Sequence, residues 1–216
     1  MMTNMVAADI NYFEILVMGG GVIGFVIWAL SIVTVAMSIR FFISIRRANI
    51  MPELIQMQIE ELFESKDYRE AIDVTEIQPD MFSYMLHSAL TEAPHGYPAM
   101  ERAMEEAAEE RTTKMLRDIE WLNLIGNIGP MLGLLGTVWG MIGAFFTIVQ
   151  AGAPDPGQLA GDIGVALVTT LLGLGVSIPA LSIFSIMRNR IDGLSSTSML
   201  ACQELISTFR PAAKRS

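Results

Sequence analysis

Thr169 and Thr170 stand side by side in an uncharged stretch from Ile163 to Met187, and a third threonine, Thr137, sits in another from Leu122 to Val149. Hydroxyls in such surroundings can help a proton or a hydrated cation past without holding a fixed charge, whereas a lone charged group at the centre of a bilayer costs roughly 2.5 to 3.5 kcal/mol even on the lenient scale. Ser177 belongs to the same set, because Asp162, Ala166, Thr170, Gly173, Ser177 and Ala180 fall on one side of an idealised helix at steps of four, four, three, four and three. Thr137 in turn lies near the edge of a row of six glycines, Gly126, Gly129, Gly133, Gly136, Gly140 and Gly143, spaced alternately three and four residues apart. A helix advancing about 100° per residue gathers all six within one arc, so one side is stripped of side chains and something must pack closely against it. The combination reads as the wall of an ion path built by several subunits. In that wall Thr137, Thr169, Thr170 and Ser177 are the lining residues, the six glycines and Gly173 are packing positions, and Pro130 and Pro179 are kinks. Plain helix packing accounts for the glycines too, and a threonine that bonds the carbonyl one turn back accounts for the hydroxyls.

Elements that cross a membrane must position these residues. The chain has 216 residues, is 52% hydrophobic and has a mean hydropathy of +0.45, too apolar for an ordinary soluble domain. Its apolar residues are concentrated in three charge-free runs, Ile15 to Ile39 (25 residues), Leu122 to Val149 (28) and Ile163 to Met187 (25), and about 20 residues suffice to cross a bilayer. The expected fold is an all-α membrane protein with three transmembrane helices, spans two and three being extended as long helices into the cytoplasm. Its parts are an outer N-terminal segment (1–14), span one (15–39), a cytoplasmic helical region (40–120), span two (121–149), an outer loop (150–162), span three (163–187) and a cytoplasmic C-terminal helix and tail (188–216). All 14 Lys and Arg fall on one side of these spans, which places the N-terminus outside and the C-terminus inside. Gly19, Gly20, Gly21 and Gly24 predict one close contact near the outer end of an otherwise lipid-facing first span. Between 40 and 120, Pro52 suits a first helical turn, and Leu54, Ile55, Ile59, Leu62 and Phe63 form an apolar stripe. Short helices are expected around Tyr68 to Ile77 and Asp80 to Leu90, then a loop from Thr91 to Pro98. No breaker follows from Ala99 until Gly126. The tail from Pro211 to Ser216 is expected to be disordered.

Several function classes are excluded. A first run this long, with no basic residue before it, reads as a retained anchor and not a cleaved signal. A net charge of −9 argues against a nucleic-acid partner. No enzyme or cofactor motif occurs: Gly133, Gly136 and Gly140 lack the Lys-Ser or Lys-Thr of a phosphate loop, and His87, His95 and Cys202 lack metal-ligand spacing. Cys202 reads as a buried structural residue.

The string Ile-Gly-Pro-Met-Leu-Gly-Leu-Leu-Gly-Thr-Val-Trp-Gly-Met-Ile-Gly-Ala-Phe-Phe-Thr-Ile, from Ile128 to Ile148, resembles the second-span motif of the MotA/TolQ/ExbB proton-channel family. Gly-Val-Ala-Leu-Val-Thr-Thr-Leu-Leu-Gly-Leu-Gly-Val-Ser-Ile-Pro-Ala-Leu, from Gly164 to Leu181, resembles its third-span motif. The three-span, N-out layout is similar to ExbB and TolQ. The resemblance implies a pentamer in the bacterial inner membrane around two copies of a single-span ExbD/TolR-like protein, with a TonB-like protein as a further partner. It implies that the proton-carrying aspartate belongs to the enclosed partner, that Thr137 and Thr170 match the wall threonines, and that proton passage drives the ring against the partner. Val165 stands where ExbB and TolQ carry a glutamate. A structural scaffold without ion conduction is the alternative. A stand-alone channel would need its own ionisable site, for which Asp162 is the sole candidate.

Overall fold

A single charge-free stretch can cross a bilayer only if its backbone closes every hydrogen bond within itself, which makes a helix the one solution. The computed structural model describes residues 21–151 and 156–210, and every regular element among them is helical. Helix α1 (Gly21–Ser44) is followed by the short α2 (Arg47–Ile50), α3 (Glu53–Ser65), α4 (Tyr68–Ile77), α5 (Met81–Thr91) and a 3-10 turn at Ala93–His95. Two long helices, α6 (Tyr97–Ala151, 55 residues) and α7 (Pro156–Ile206, 51 residues), complete the chain with a 3-10 turn at Ser207–Phe209. Helices α1, α6 and α7 each contain a stretch long and apolar enough to cross a membrane. The expected outer segment 1–14, residues 15–20 of span one with Gly19 and Gly20, residues 152–155 of the outer loop and the tail 211–216 lie outside the described residues. So do the side chains of Asp162 and Val165.

Helix α6 reaches Ala151 and α7 begins at Pro156, so both take up residues that the sequence pattern places in the outer loop. A proline has no N–H to leave unsatisfied in a first turn, which suits Pro156 to its place. Both helices also continue through an internal proline, Pro130 and Pro179. Each proline removes the hydrogen bond to the carbonyl four residues back and crowds it. Both of those carbonyls belong to glycines, Gly126 and Gly175, whose backbone adjusts most easily.

The chain divides into two compact units: a membrane unit, made of the chain up to Ser38 with Trp121–Ile183, and a polar unit, made of Ile39–Glu120 with the chain from Phe184. Within the membrane unit α1 buries Gly24, Ile27, Thr34 and Ser38 at helical spacing. The buried positions run along the helix and are not confined to its first turns. Ile27 packs with Ile125 of α6 and Val176 of α7, and Ile23, Leu30, Met37, Leu132 and Leu172 surround them. The hydroxyls on this face stay inside their own helix, Thr34 donating to the Leu30 carbonyl at 2.8 Å and Ser38 to that of Thr34 at 2.6 Å. Large apolar side chains such as Phe25, Ile32, Leu134, Phe145, Leu167 and Ile178 point outward, as a lipid-facing surface requires.

The polar unit is organised around α5, in which seven of the 11 residues are buried. Its N-cap is Asp80, which accepts from the Ser83 N–H at 2.9 Å and from the Ser83 hydroxyl at 2.8 Å. Ile59 and Phe63 of α3, Met100 and Met104 of α6 and Met187, Ile191 and Ile206 of α7 supply further buried residues. Flexible methionines fill an irregular interior well. The stripe expected on α3 is buried only at Ile59 and Phe63, Leu54 being 81% exposed. Tyr84 donates to Glu110 at 2.8 Å while the Arg111 guanidinium lies 4.0 Å from its ring centre. The hydrogen bond to Glu110, more than burial, raises the Tyr84 phenol above its ordinary pKa.

Cys202 is fully buried, with its Sγ 3.5 Å from the Phe82 carbonyl. Burial pushes its thiol well up, and the Asp80 carboxylate adds to the shift. Because the thiolate is the reactive form, maleimide labelling of Cys202 in the native protein should be at least about a hundredfold slower than in denaturant, as followed by mass spectrometry. Equal rates would contradict the packing of this unit.

Candidate functional site

The site is the seam along which α6 and α7 meet in the membrane unit. Its register is antiparallel, because a Cβ placed at successive glycines of α6 would meet residues progressively earlier in α7. At Gly126 the neighbour is Leu181 (Cγ at 2.5 Å), at Gly129 it is the Ser177 hydroxyl and the Gly173 carbonyl (2.9 Å), and at Gly133 it is Thr170 Cα (2.9 Å) and the Thr169 carbonyl (3.0 Å). At Gly136 it is the Thr169 side chain, and at Gly140 it is Ala166 Cβ (2.9 Å). Gly173 answers from α7, where a Cβ would lie 2.5 Å from the Gly129 carbonyl oxygen and 3.2 Å from Gly133 Cα. Five of the six glycines therefore face α7 of the same chain, and no contact within 4 Å from another helix is found for a Cβ at Gly143 among the described residues.

Backbones this close let side chains of one helix reach carbonyls of the other. The Thr169 hydroxyl lies 3.1 Å from the Gly133 carbonyl oxygen and 2.7 Å from that of Ala166 in its own helix. The Thr170 hydroxyl lies 3.2 Å from the same Gly133 oxygen. Thr169 is buried and Thr170 half-buried. Ser177 is buried against Gly129, and its hydroxyl has no hydrogen-bond partner among the described residues. Thr137 is also half-buried and bonds back to the Leu134 carbonyl at 2.7 Å.

Contacts with α1 use Ile125 and Leu132 of α6 and Leu172 and Val176 of α7. At about 100° per residue these positions lie on one side of the buried stripe on each helix, while Thr137 and Thr170 lie on the other. Thr137 and Thr170 therefore share the flank of the seam turned away from α1. Thr169 and Ser177 lie inside the seam, and an apolar crevice beside Gly136, Gly140 and Thr169 opens on the side of Gly21 to Ile23.

Sequence reasoning missed two residues on the outward flank. Asn127 is exposed and donates to the Asn123 backbone carbonyl at 2.8 Å and to its side-chain oxygen at 2.9 Å. Two amides four residues apart in an otherwise apolar run were the available signal, hidden because neither carries a formal charge. Among the described residues no group of His, Cys, Asp and Glu could hold a metal ion.

Residues 74–198 match the family model described as the MotA/TolQ/ExbB proton channel family. The chain is similar to the biopolymer transport protein ExbB of Xanthomonas campestris pv. campestris, at 30% identity over 180 residues that cover 73% of this chain and 71% of that protein. A putative biopolymer transport protein ExbB homolog of Methanothermobacter thermautotrophicus is 33% identical over 177 residues, covering 80% of this chain and 62% of that one. The biopolymer transport protein ExbB of Neisseria gonorrhoeae reaches 44% over 63 residues, 29% of each chain.

The close approach makes a sharp demand on Gly133, where an added methyl would meet backbone atoms that cannot rotate away. Gly133→Ala should destabilise the protein by about 1–3 kcal/mol, whereas Gly164→Ala, whose methyl would meet nothing within 4 Å among the described residues, should leave its thermal melting in detergent unchanged. Equal melting of the two variants would show that the seam is not tight at Gly133.

Proposed function

This chain belongs to the MotA/TolQ/ExbB proton channel family, and on that premise we propose that it is the proton-channel subunit of an ExbB/TolQ-like energy-transducing motor. The family is one of transport proteins, not enzymes. In this reading several copies, five by the family resemblance, form a ring in the bacterial inner membrane around two copies of a single-span ExbD/TolR-like partner, with a TonB-like protein as a further associate. The N-terminus is periplasmic and the C-terminus cytoplasmic, as the one-sided distribution of Lys and Arg supports.

The observation that carries the proposal is the Gly133–Thr170 contact. A half-buried hydroxyl sits on the outward flank of a close helix pair, within runs that hold no charged residue. Such a wall offers hydrogen bonds to a moving proton and nothing that would trap it. The titrating acid must then come from another molecule, which is the part assigned to the enclosed partner. Each elementary charge that crosses releases roughly 2.3 kcal/mol per 100 mV, and that work turns the ring against the partner. Thr137 lines the same flank. Thr169 and Ser177 contribute from inside the seam, Pro130 and Pro179 are kinks, and the glycines allow the subunit to close.

Thr170→Val keeps the shape and removes the hydroxyl. Partner-dependent proton flux into proteoliposomes, read with a pH-sensitive dye, should fall by about tenfold or more, a barrier increase of roughly 1.4 kcal/mol, while the ring assembles normally. Undiminished flux would remove Thr170 from the path. A wild-type ring that assembles alone and conducts nothing with any partner would identify a scaffold instead.

A further inference from the structure

The Gly133 carbonyl is offered more donors than it can hold. In the α-helical pattern it receives the N–H of Thr137 four residues on, and the hydroxyls of Thr169 and Thr170 both lie within hydrogen-bond distance of it, at 3.1 and 3.2 Å. A carbonyl oxygen has two lone pairs, and each hydroxyl has a single proton to give. The two threonines are not equivalent. The Thr169 proton has a second acceptor, the Ala166 carbonyl, at the shorter distance of 2.7 Å. For Thr170 the Gly133 oxygen is the acceptor among the described residues, and this threonine is the half-buried one of the pair.

We propose that Thr169 is a positioning residue that stands in for Thr170 at the Gly133 carbonyl, so that the Thr170 hydroxyl can turn outward to an acceptor on the ion path without breaking the tie between α6 and α7. The inference rests on the reading that Thr170 lines that path. In the resting arrangement Thr170 donates to Gly133 and Thr169 donates to Ala166. When Thr170 rotates to a water molecule or a carboxylate, Thr169 turns its one proton from Ala166 to Gly133. The Ala166 carbonyl gives up the Thr169 hydroxyl and keeps its own helical donor, the Thr170 N–H, and no covalent bond changes within the subunit. Hydrogen bonds between helices are part of what holds membrane helices together, and the exchange keeps one between α6 and α7 each time a proton passes. Without Thr169 the Thr170 hydroxyl is held by the carbonyl it would otherwise leave.

The test compares Thr169→Val, which keeps the shape and loses the donor, with Thr169→Ser, which keeps the donor and loses a methyl, in the ring purified with its single-span partner and reconstituted in proteoliposomes. Proton flux should drop about fivefold or more in Thr169→Val, the scale of one lost hydrogen bond, and return to within about twofold of wild type in Thr169→Ser. Wild-type flux in Thr169→Val overturns the inference. Equal loss in both variants overturns it as well, because restoring the donor would then restore nothing. Should Thr169→Val not assemble, Thr169→Cys, of similar size with a weak donor, takes its place: reduced flux supports the role and wild-type flux overturns it. Thr170→Val measured alongside separates the two levels, since unchanged flux in that variant sinks the underlying reading and not only the role of Thr169.

Discussion

The absence of side chains at Gly129, Gly133 and Gly173 lets the backbones of α6 and α7 touch, and the remaining features of the membrane unit follow from that contact. Lipid supplies no hydrophobic drive for helix association, so the stabilisation comes from close packing and from hydrogen bonds between helices. Both depend on distance. With a Cβ at Gly133 the Thr170 backbone would have to move, and the two threonine hydroxyls would no longer reach the Gly133 oxygen. The same contact sets the rotation of α7. It turns Ala166, Thr169, Gly173, Val176, Ser177 and Ala180 inward and leaves Thr170 at the edge, where one hydroxyl can belong both to the subunit and to its surroundings.

Helices α6 and α7 each obey two packing rules along their length because their two parts are solvated differently. In the membrane unit the buried positions of α6 are mostly small, Gly126, Gly129, Gly133, Gly136 and Ala144. In the polar unit its buried positions include Met100, Met104 and Ile119, where water outside makes burial of large apolar side chains favourable. Helix α7 changes in the same way, from Gly173 and Ala180 to Met187, Ile191 and Ile206. Asp80 and Asp67 cap short helices of the polar unit through their carboxylates. Hydroxyls behave alike in both units: Thr34, Ser38 and Ser182 donate to carbonyls of their own turn, as Ser88 and Thr91 do in the polar unit.

The number of spans was legible because charge is nearly forbidden in a bilayer, so Arg40, Glu120 and Arg188 mark the limits of the runs. The length of α6 was legible because nothing after Ala99 could break a helix before the membrane. The partner of the glycine face was not legible: a bare stripe has the same period whether it meets its own chain or a neighbouring one. The small stripe of α7 had the same ambiguity, and much of what could have fronted an ion path packs inside the subunit. The buried stripe of α1 was obscured for a different reason. When the outer solvent is lipid, the outward and inward faces are both apolar, and Gly24, Ile27, Thr34 and Ser38 stand out too little from Phe25 and Ile32. In α3 the pattern overstated burial at Leu54, since a helix 13 residues long needs only part of its apolar stripe to dock.

In the proposed motor the division between a wall of hydroxyls and an acid carried by another molecule has a physical rationale. An acid fixed to the wall would pay for its desolvation whenever it ionised, and once protonated it would stay beside the groups that stabilise it. A hydroxyl has no such asymmetry. It accepts and donates at once, and turning it exchanges one hydrogen bond for another with little net change when a second acceptor waits nearby. Thr170 shares the Gly133 carbonyl with Thr169, which has Ala166 in reserve, so the wall can answer a passing carboxylate and then return. The charge change is left to a group that moves past the wall, and that relative motion is what a motor requires. A chain without any acid in its charge-free runs suits this division of labour, since it presents the moving acid with similar, reversible contacts at each subunit and holds it at none of them.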